Sequence, residues 1–327
     1  MTVLEVIQRS TEFLAKKGVD SPRLQVELLL AHVLGMPRLK LYLNFERALT
    51  DSELEQARAL VKRRGRREPL QHILGSACFC GLDIAVSSDV LVPRPETELL
   101  AERAWTCLLA SHEPAVRSAD IPVRPPQPPS GQECPRSMFM AGEQVQTEQG
   151  LPHASPPTVL DFGTGSGCLA IAIAVNAPAA AVHAVDISAA ALRVAGDNAA
   201  RHGVAQRIHF HEGDGFAALP EGLKFDLLVA NPPYIPSAEI DTLEPEVRDH
   251  DPRGALDGGP DGLDLYRRLA AEAGPRLRPG GRLMLEFGDG QAEALCSLFA
   301  AHGWRVEGVE RDYTGRQRFF IASVGQS

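Results

Sequence analysis

The sequence predicts an α/β fold: a mostly parallel sheet with helices on both faces and a C-terminal antiparallel hairpin, preceded by a small helical domain. Three observations predict it. From Val159 onward, short apolar runs alternate with longer amphipathic ones, the order that builds parallel sheets through helical crossovers. The chain ends on two strand-like runs with no helix between them, Val306 to Glu310 and Arg318 to Val324, and so short a connection joins antiparallel neighbours. Residues from about Thr2 to Glu68 carry helical spacing alone.

In the N-terminal part, Leu4, Ile7, Phe13 and Leu14 recur at helical intervals. So do Leu24, Leu28, Ala31 and Leu34, before Gly35 and Pro37 stop the pattern. Asp51-Ser52-Glu53-Leu54 opens a further helix that runs into a basic tract, Lys62 to Arg67. Cations at a helix C-terminus oppose the macrodipole, which accounts for the tract without a partner. The other reading is a contact for an acidic or RNA-bearing partner. Cys78 to Ser87 predicts a hairpin about Gly81, and Leu99 to Leu109 a helix. The resulting boundaries are a helical substrate-binding domain over 1–75, a hairpin and linker over 76–98, and the α/β domain over 99–327.

Residues 112–157 interrupt that last domain. They hold ten prolines and few large apolar residues, too little burial to offset ordering entropy. A disordered insertion is the expectation. Beyond it, strands are expected at Val159 to Phe162, Ala181 to Ile187, Ile208 to His211, Phe225 to Ala230 and Leu283 to Phe287. Helices are expected at Cys168 to Asn176, Ala189 to His202, Leu263 to Ala273 and Ala292 to His302.

Composition excludes several classes. A net charge of -9 argues against a general nucleic-acid binder, which needs a basic footprint. The longest apolar run, Cys168 to Val175, is too short to span a bilayer. The N-terminus lacks a basic segment followed by an apolar core, so no signal peptide is expected. Six cysteines without C-x-x-C pairs read as reduced cytoplasmic thiols. His209 and His211 share one face of a strand, and without further ligands they read as exposed strand histidines rather than a metal site. No metal is expected.

The chemistry gathers at Asn231-Pro232-Pro233-Tyr234. An apolar strand ends there, and two prolines force the chain out of the sheet. Open α/β sheets hold ligands at such carboxyl ends. The turn carries a side-chain amide, backbone carbonyls and an aromatic ring. A planar NH2 group asks for that set: two acceptors for its N–H bonds and a flat surface for its face.

A second loop, Asp161-Phe162-Gly163-Thr164-Gly165-Ser166-Gly167, joins the first strand of the alternating region to its helix. Its glycines allow backbone amides to approach a ligand at a helix N-terminus. The spacing is G-x-G-x-G, with Cys168 where a dinucleotide fingerprint has its third glycine, which weighs against NAD. Asp186 ends the next strand and can accept from ribose hydroxyls. Asp214 is either an acceptor for an adenine amine or an ordinary helix-leading Asp.

Glycine loop, ribose-type Asp and N-P-P-Y turn occur in that order at the ends of the first, second and fourth strands of the sheet. This resembles class I S-adenosylmethionine methyltransferases, with their Rossmann-like sheet, whose acceptor is an NH2 nitrogen. More closely, the chain resembles the HemK/PrmC family of protein-(glutamine-N5) methyltransferases, which act on peptide-chain release factors. The resemblance rests on Glu68-Pro69-Leu70-Gln71-His72-Ile73-Leu74-Gly75, on Val92-Pro93-Arg94-Pro95-Glu96-Thr97-Glu98 and on Asp161 to Gly167. It continues through Asn231 to Ile235, Pro252-Arg253-Gly254-Ala255-Leu256 and Asp261 to Tyr266. It covers nearly the whole chain outside the insertion. Phe162, Gly215 and the insertion depart from the family pattern.

The resemblance implies methyl transfer from S-adenosyl-L-methionine to the Gln amide nitrogen of a Gly-Gly-Gln motif in class I release factors. It makes Asn231, Pro232 and Tyr234 the catalytic set, with Pro233 completing the substrate clamp. It assigns Gly163, Thr164, Gly165, Ser166, Gly167, Asp186, Asp214, Gly215, Phe216 and Asn231 to the cofactor, Phe216 as the substitute for a larger residue at 215. Arg94 either pairs with the cofactor carboxylate or substrate, or forms a helix-entry ion pair with Glu96 or Glu98. Glu286 receives no role. The helical domain is expected to grip the release factor, with no stable nucleic acid and no membrane involved. A DNA amino-methyltransferase and a non-catalytic cofactor-binding adaptor are the rival readings. The acidic balance opposes the first, and an intact amine clamp the second.

Overall fold

The computed structural model describes residues 1–110 and 156–325. The expectation for 112–157 therefore lies essentially outside the described residues.

Five helices come first: α1 (Val3–Lys16), α2 (Pro22–Val33), α3 (Arg38–Leu41), α4 (Asp51–Arg64) and α5 (Leu70–Leu74). Thr2 and Thr50 begin α1 and α4 with reciprocal capping boxes, each threonine bonded to the backbone of a glutamate three residues on, so two orphan donors are satisfied at each start. Val3, Ile7, Leu14, Leu29, Leu30 and Leu41 close a core belonging to these helices alone.

The basic tract after α4 does more than offset a helix dipole. Arg64 is buried and donates to Gln25 and to Glu246, the latter at 2.7 Å. Arg67 donates to Glu246 and Glu244 at 2.5 and 2.7 Å. These charge-assisted bonds tie the helical region to the sheet-bearing region across 177 to 182 residues of sequence. The partner is acidic, as one reading required, but it belongs to the same chain.

The hairpin β1 (Ser76–Phe79) and β2 (Leu82–Ala85) follows, then α6 (Pro95–Ala110). The helix begins four residues before the expected Leu99, because proline suits a first turn that lacks donor partners. The sheet consists of β3 (Thr158–Phe162), β4 (Ala181–Asp186), β5 (Ile208–Glu212), β6 (Phe225–Ala230), β7 (Leu277–Glu286), β8 (Trp304–Arg311) and β9 (Gln317–Val324). Its helices are α7 (Cys168–Asn176), α8 (Ala189–Arg201), the short α9 (Pro245–Arg248), α10 (Asp264–Glu272) and α11 (Ala292–Ala301). The strand order is β5-β4-β3-β6-β7-β9-β8. The first five are parallel, and β9 runs antiparallel to both β7 and β8. β7 begins six residues earlier than expected, with a register shift opposite Phe225 to Leu227 that absorbs its Pro279-Gly280-Gly281 stretch.

One face of the sheet packs on α6, α7 and α8 through Leu100, Ala104, Ile171 and Ala199, and the other on α10 and α11 through Tyr266, Leu269 and Phe299. Strand order reverses at β3, whose neighbours are β4 and β6, and a crevice opens beyond the strand ends at such a switch point. Asn198 on α8 is fully buried. It exchanges two bonds with the Ala85 backbone and donates to the Ser166 carbonyl at 3.0 Å, fastening the hairpin to the glycine loop.

The strand histidines need correction. His183 on β4 stacks on both His209 and His211 and shares a 2.9 Å hydrogen bond with His211. His209 is exposed as expected, but His211 is half-buried. Burial lowers the His183 pKa to about 4, so the imidazole is neutral. Among the described residues no group of three His, Cys, Asp or Glu side chains is arranged for a metal ion.

Candidate active site

A cavity of about 810 Å³ occupies the switch-point crevice. Its floor is the loop after β3. Gly163 and Gly165 have φ of 76° and 54°, and a Cβ at either would enter open space. Backbone there is bare toward the cavity, as an anionic or polar ligand requires. Gly167 differs: its Cβ would lie 3.0 Å from that of Ala195, so this glycine serves helix packing and does not line the cavity. Thr164 and Ser166 are buried cavity residues. The Thr164 hydroxyl donates to Asp161 at 2.6 Å, and Ala170 N–H reaches the same carboxylate oxygen. The other Asp161 oxygen is buried without a partner, and burial raises its pKa to about 7.

Asp186 lies at the end of β4, on the cavity wall. Its two oxygens accept from Gly165 N–H at 2.8 Å and Ser188 N–H at 2.9 Å. Each oxygen keeps a lone pair for a further donor, as a ribose diol would supply. Beside it Ile187 is 73% exposed, apolar surface on the cavity wall that sequence reasoning passed over. Asp214 also borders the cavity, but its carboxylate is drawn to Arg268 on α10. Gly215 lines the wall. Phe216 does not: it is buried against Phe162, ring centroids 4.9 Å apart, and Phe162 faces the cavity in its place.

Arg94 reaches the cavity and donates to Asp251 at 2.6 Å. The expected partners Glu96 and Glu98 lie on the helix that Arg94 precedes, whereas Asp251 comes from the segment after α9. Asp251 is itself buried, and desolvation raises its pKa against the pull of Arg94.

At the far side, Asn231, Pro232 and Pro233 line the cavity. The turn is held by a short parallel bridge, Ile235 to Asp257, and by Gly258 and Gly262. Cβ atoms at these glycines would lie 2.7 Å from the Pro233 carbonyl and 2.3 Å from that of Tyr234. Gln291 donates to the Tyr234 carbonyl at 3.0 Å. The Tyr234 ring does not line the cavity; it packs beside Gly288, and burial raises its hydroxyl pKa to about 12.

Beside Asn231 stands a pair unassigned from sequence, Thr97, which also lines the cavity, and Glu286 behind it. Asn231 Nδ2 donates to Thr97 Oγ1 at 3.1 Å, and Thr97 donates to Glu286 Oε2 at 2.7 Å. Among the described residues nothing donates to Asn231 Oδ1 or to the Pro232 carbonyl. Glu286 is 1% exposed, and desolvation lifts its pKa to about 7. The available signal was one acid at the end of the apolar run Leu283-Met284-Leu285.

The cavity fits an adenosyl-type cofactor: bare glycine backbone, a diol acceptor at Asp186, and apolar cover from Ile187 and Phe162. Residues 5–75 match the family model described as PrmC N-terminal domain, and residues 148–243 match the methyltransferase small domain. A release factor glutamine methyltransferase of Geobacter sulfurreducens is 42% identical over 99% of this chain and 97% of its own length. One of Chlorobaculum tepidum is 44% identical over 91% of each. One of Moorella thermoacetica is 38% identical over 98% of each. The chain belongs to the release factor glutamine methyltransferase family.

Proposed function

We propose that this chain transfers the methyl group of S-adenosylmethionine to the side-chain amide nitrogen of the Gln in the Gly-Gly-Gln motif of class I release factors. One observation carries the reading: Asn231 is pinned by its NH2 end to Thr97, which leaves its oxygen as an acceptor, and among the described residues the Pro232 carbonyl likewise meets no donor. Those two acceptors suit the two N–H bonds of a primary amide.

S-adenosylmethionine supplies a methyl group activated by a sulfonium centre. Asp186 and the Gly163 to Ser166 backbone hold the cofactor in this proposal, with Gly215, Ile187 and Phe162 as walls. An amide nitrogen is a poor nucleophile because its lone pair is delocalised. Asn231 and Pro232 therefore act by aligning it and by facing the positive charge that develops on it. Tyr234 meets the amide plane from outside the cofactor cavity. Arg94, engaged with Asp251, shapes the entrance rather than serving as a free cation. The helical domain grips the release factor. Binding of stable nucleic acid is not part of the reading, on the acidic charge balance, and the setting is cytoplasmic.

Labelled S-adenosylmethionine should deliver label to a release factor, none to its Gly-Gly-Ala variant, and none to DNA offered alongside. Label on DNA, or on the Gly-Gly-Ala variant, would overturn the assignment.

A further inference from the structure

Thr97 and Glu286 have no part in the reaction just described, yet they form the only polar contact behind the Asn231 amide among the described residues. A threonine hydroxyl has one proton and can accept as well. A carboxylate only accepts. With Glu286 ionised, the Thr97 proton is committed to Glu286 Oε2 at 2.7 Å. Thr97 must then act as acceptor toward Asn231, 3.1 Å away. Only the NH2 end of Asn231 can donate, so its oxygen faces the opposite way.

We propose that Thr97 and Glu286 form a directional relay that holds the Asn231 oxygen toward the methyl-accepting amide, and that protonating Glu286 releases it. A protonated Glu286 can donate to Thr97. The Thr97 proton is then free to serve Asn231 Oδ1, and the flipped amide becomes equally satisfied. That flip turns an NH2 group toward the substrate NH2, two donors meeting where a donor must meet an acceptor. Thr97 and Glu286 are thus positioning residues, acting through Asn231. The inference rests on Asn231 being the amide acceptor.

The surroundings of Glu286 suit a switch near neutrality. Its pKa is raised to about 7, with desolvation the largest cause; Glu96 of α6 adds to it, while Arg94 and Arg318 of β9 oppose. The Tyr266 hydroxyl of α10 donates to the Glu286 backbone carbonyl at 2.7 Å, leaving the carboxyl to Thr97. Tyr234 and Cys168 of α7 complete the ionisable groups nearby, and both pKa values are pushed up to about 12.

The test is turnover on release factor across about pH 5.5 to 9, with kcat, KM and cofactor affinity resolved, for wild type, Thr97→Val, Thr97→Ser, Glu286→Gln and Asn231→Ala. Wild-type kcat should fall on the acid side with a single-proton slope. Thr97→Val should lose about 10- to 100-fold in kcat, the range for supporting groups behind a reactive ligand. Thr97→Ser should recover most of that loss and keep the acid limb. Glu286→Gln should flatten the limb, since it cannot titrate. A Thr97→Val kcat within about twofold of wild type, or an unaltered acid limb in Glu286→Gln, overturns the relay. If Thr97→Val fails to fold by circular dichroism, the Glu286→Gln profile decides alone. Full turnover in Asn231→Ala sinks the acceptor reading and the relay together. Loss there with an active Thr97→Val sinks the relay only.

Discussion

The ring of Phe162 fills the space that a side chain at Gly215 would need: a Cβ built on Gly215 lies 2.7 Å from Phe162 Cζ. The two positions share one space, so a large side chain at one calls for a small one at the other. A larger residue at 162 covers the wall that a smaller one at 215 leaves bare, while Phe216 supports the ring from below.

Gly215→Ala should therefore cost stability twice. Gly215 has φ of 58°, and a left-handed backbone costs an L-residue about 1–2 kcal/mol. Overpacking against Phe162 adds about 1–3 kcal/mol. Adding Phe162→Leu should return the second part alone. A denaturant double-mutant cycle measures the coupling, and strictly additive losses would show that the two residues do not share the space.

Asn231→Ala should leave the fold and cofactor binding largely intact and lower the rate of methyl transfer by about 10²- to 10³-fold, the scale for losing one group that hydrogen-bonds the transition state. Single-turnover kinetics with saturating cofactor isolates that step. Unchanged turnover would remove Asn231 from the clamp.

Asp186→Ala should weaken S-adenosylmethionine binding by about 1.5–3 kcal/mol, the range for bonds to a charged group. Part of the loss comes through the loop, because Asp186 also accepts from Gly165 N–H. Titration calorimetry reads it directly, and an affinity equal to wild type would take Asp186 out of the cofactor site.

Glu286 also leaves a mark on stability. Its carboxyl holds a proton more tightly when folded, at about 7 against an ordinary 4.5. The favourable contribution is thus complete below about pH 4.5 and is lost as pH rises through about 7. Glu286→Gln should melt closer to wild type at pH 5 and gain on it at pH 8, by an amount on the order of 3 kcal/mol at most. Asp161 shifts the same way, so the variant should keep part of the decline. Parallel melting curves with no pH-dependent gap would show that Glu286 binds its proton no more tightly in the fold than in the unfolded chain.

Much of this protein is legible in the chain itself. Strand and helix order follows from the period of apolar residues. Pro232 and Pro233 must end β6, because neither can donate to a ladder. Gly163 and Gly165 sit at positive φ, where only glycine is free of strain. These are local constraints, set by neighbours in sequence, and they place the N-P-P-Y turn and the glycine loop at strand ends. Tertiary structure alone decided what meets them there. Arg94 chose Asp251, 157 residues away, over the nearer Glu96 and Glu98. Phe216 turned into the core and Phe162 took the cavity wall. Arg64 and Arg67 of the basic tract became ties to Glu244 and Glu246. Thr97 met Glu286 across 189 residues and took the Asn231 amide as its donor. Hydrogen-bond direction and burial depend on which strands and helices are neighbours in space, and no periodicity in one dimension carries that information.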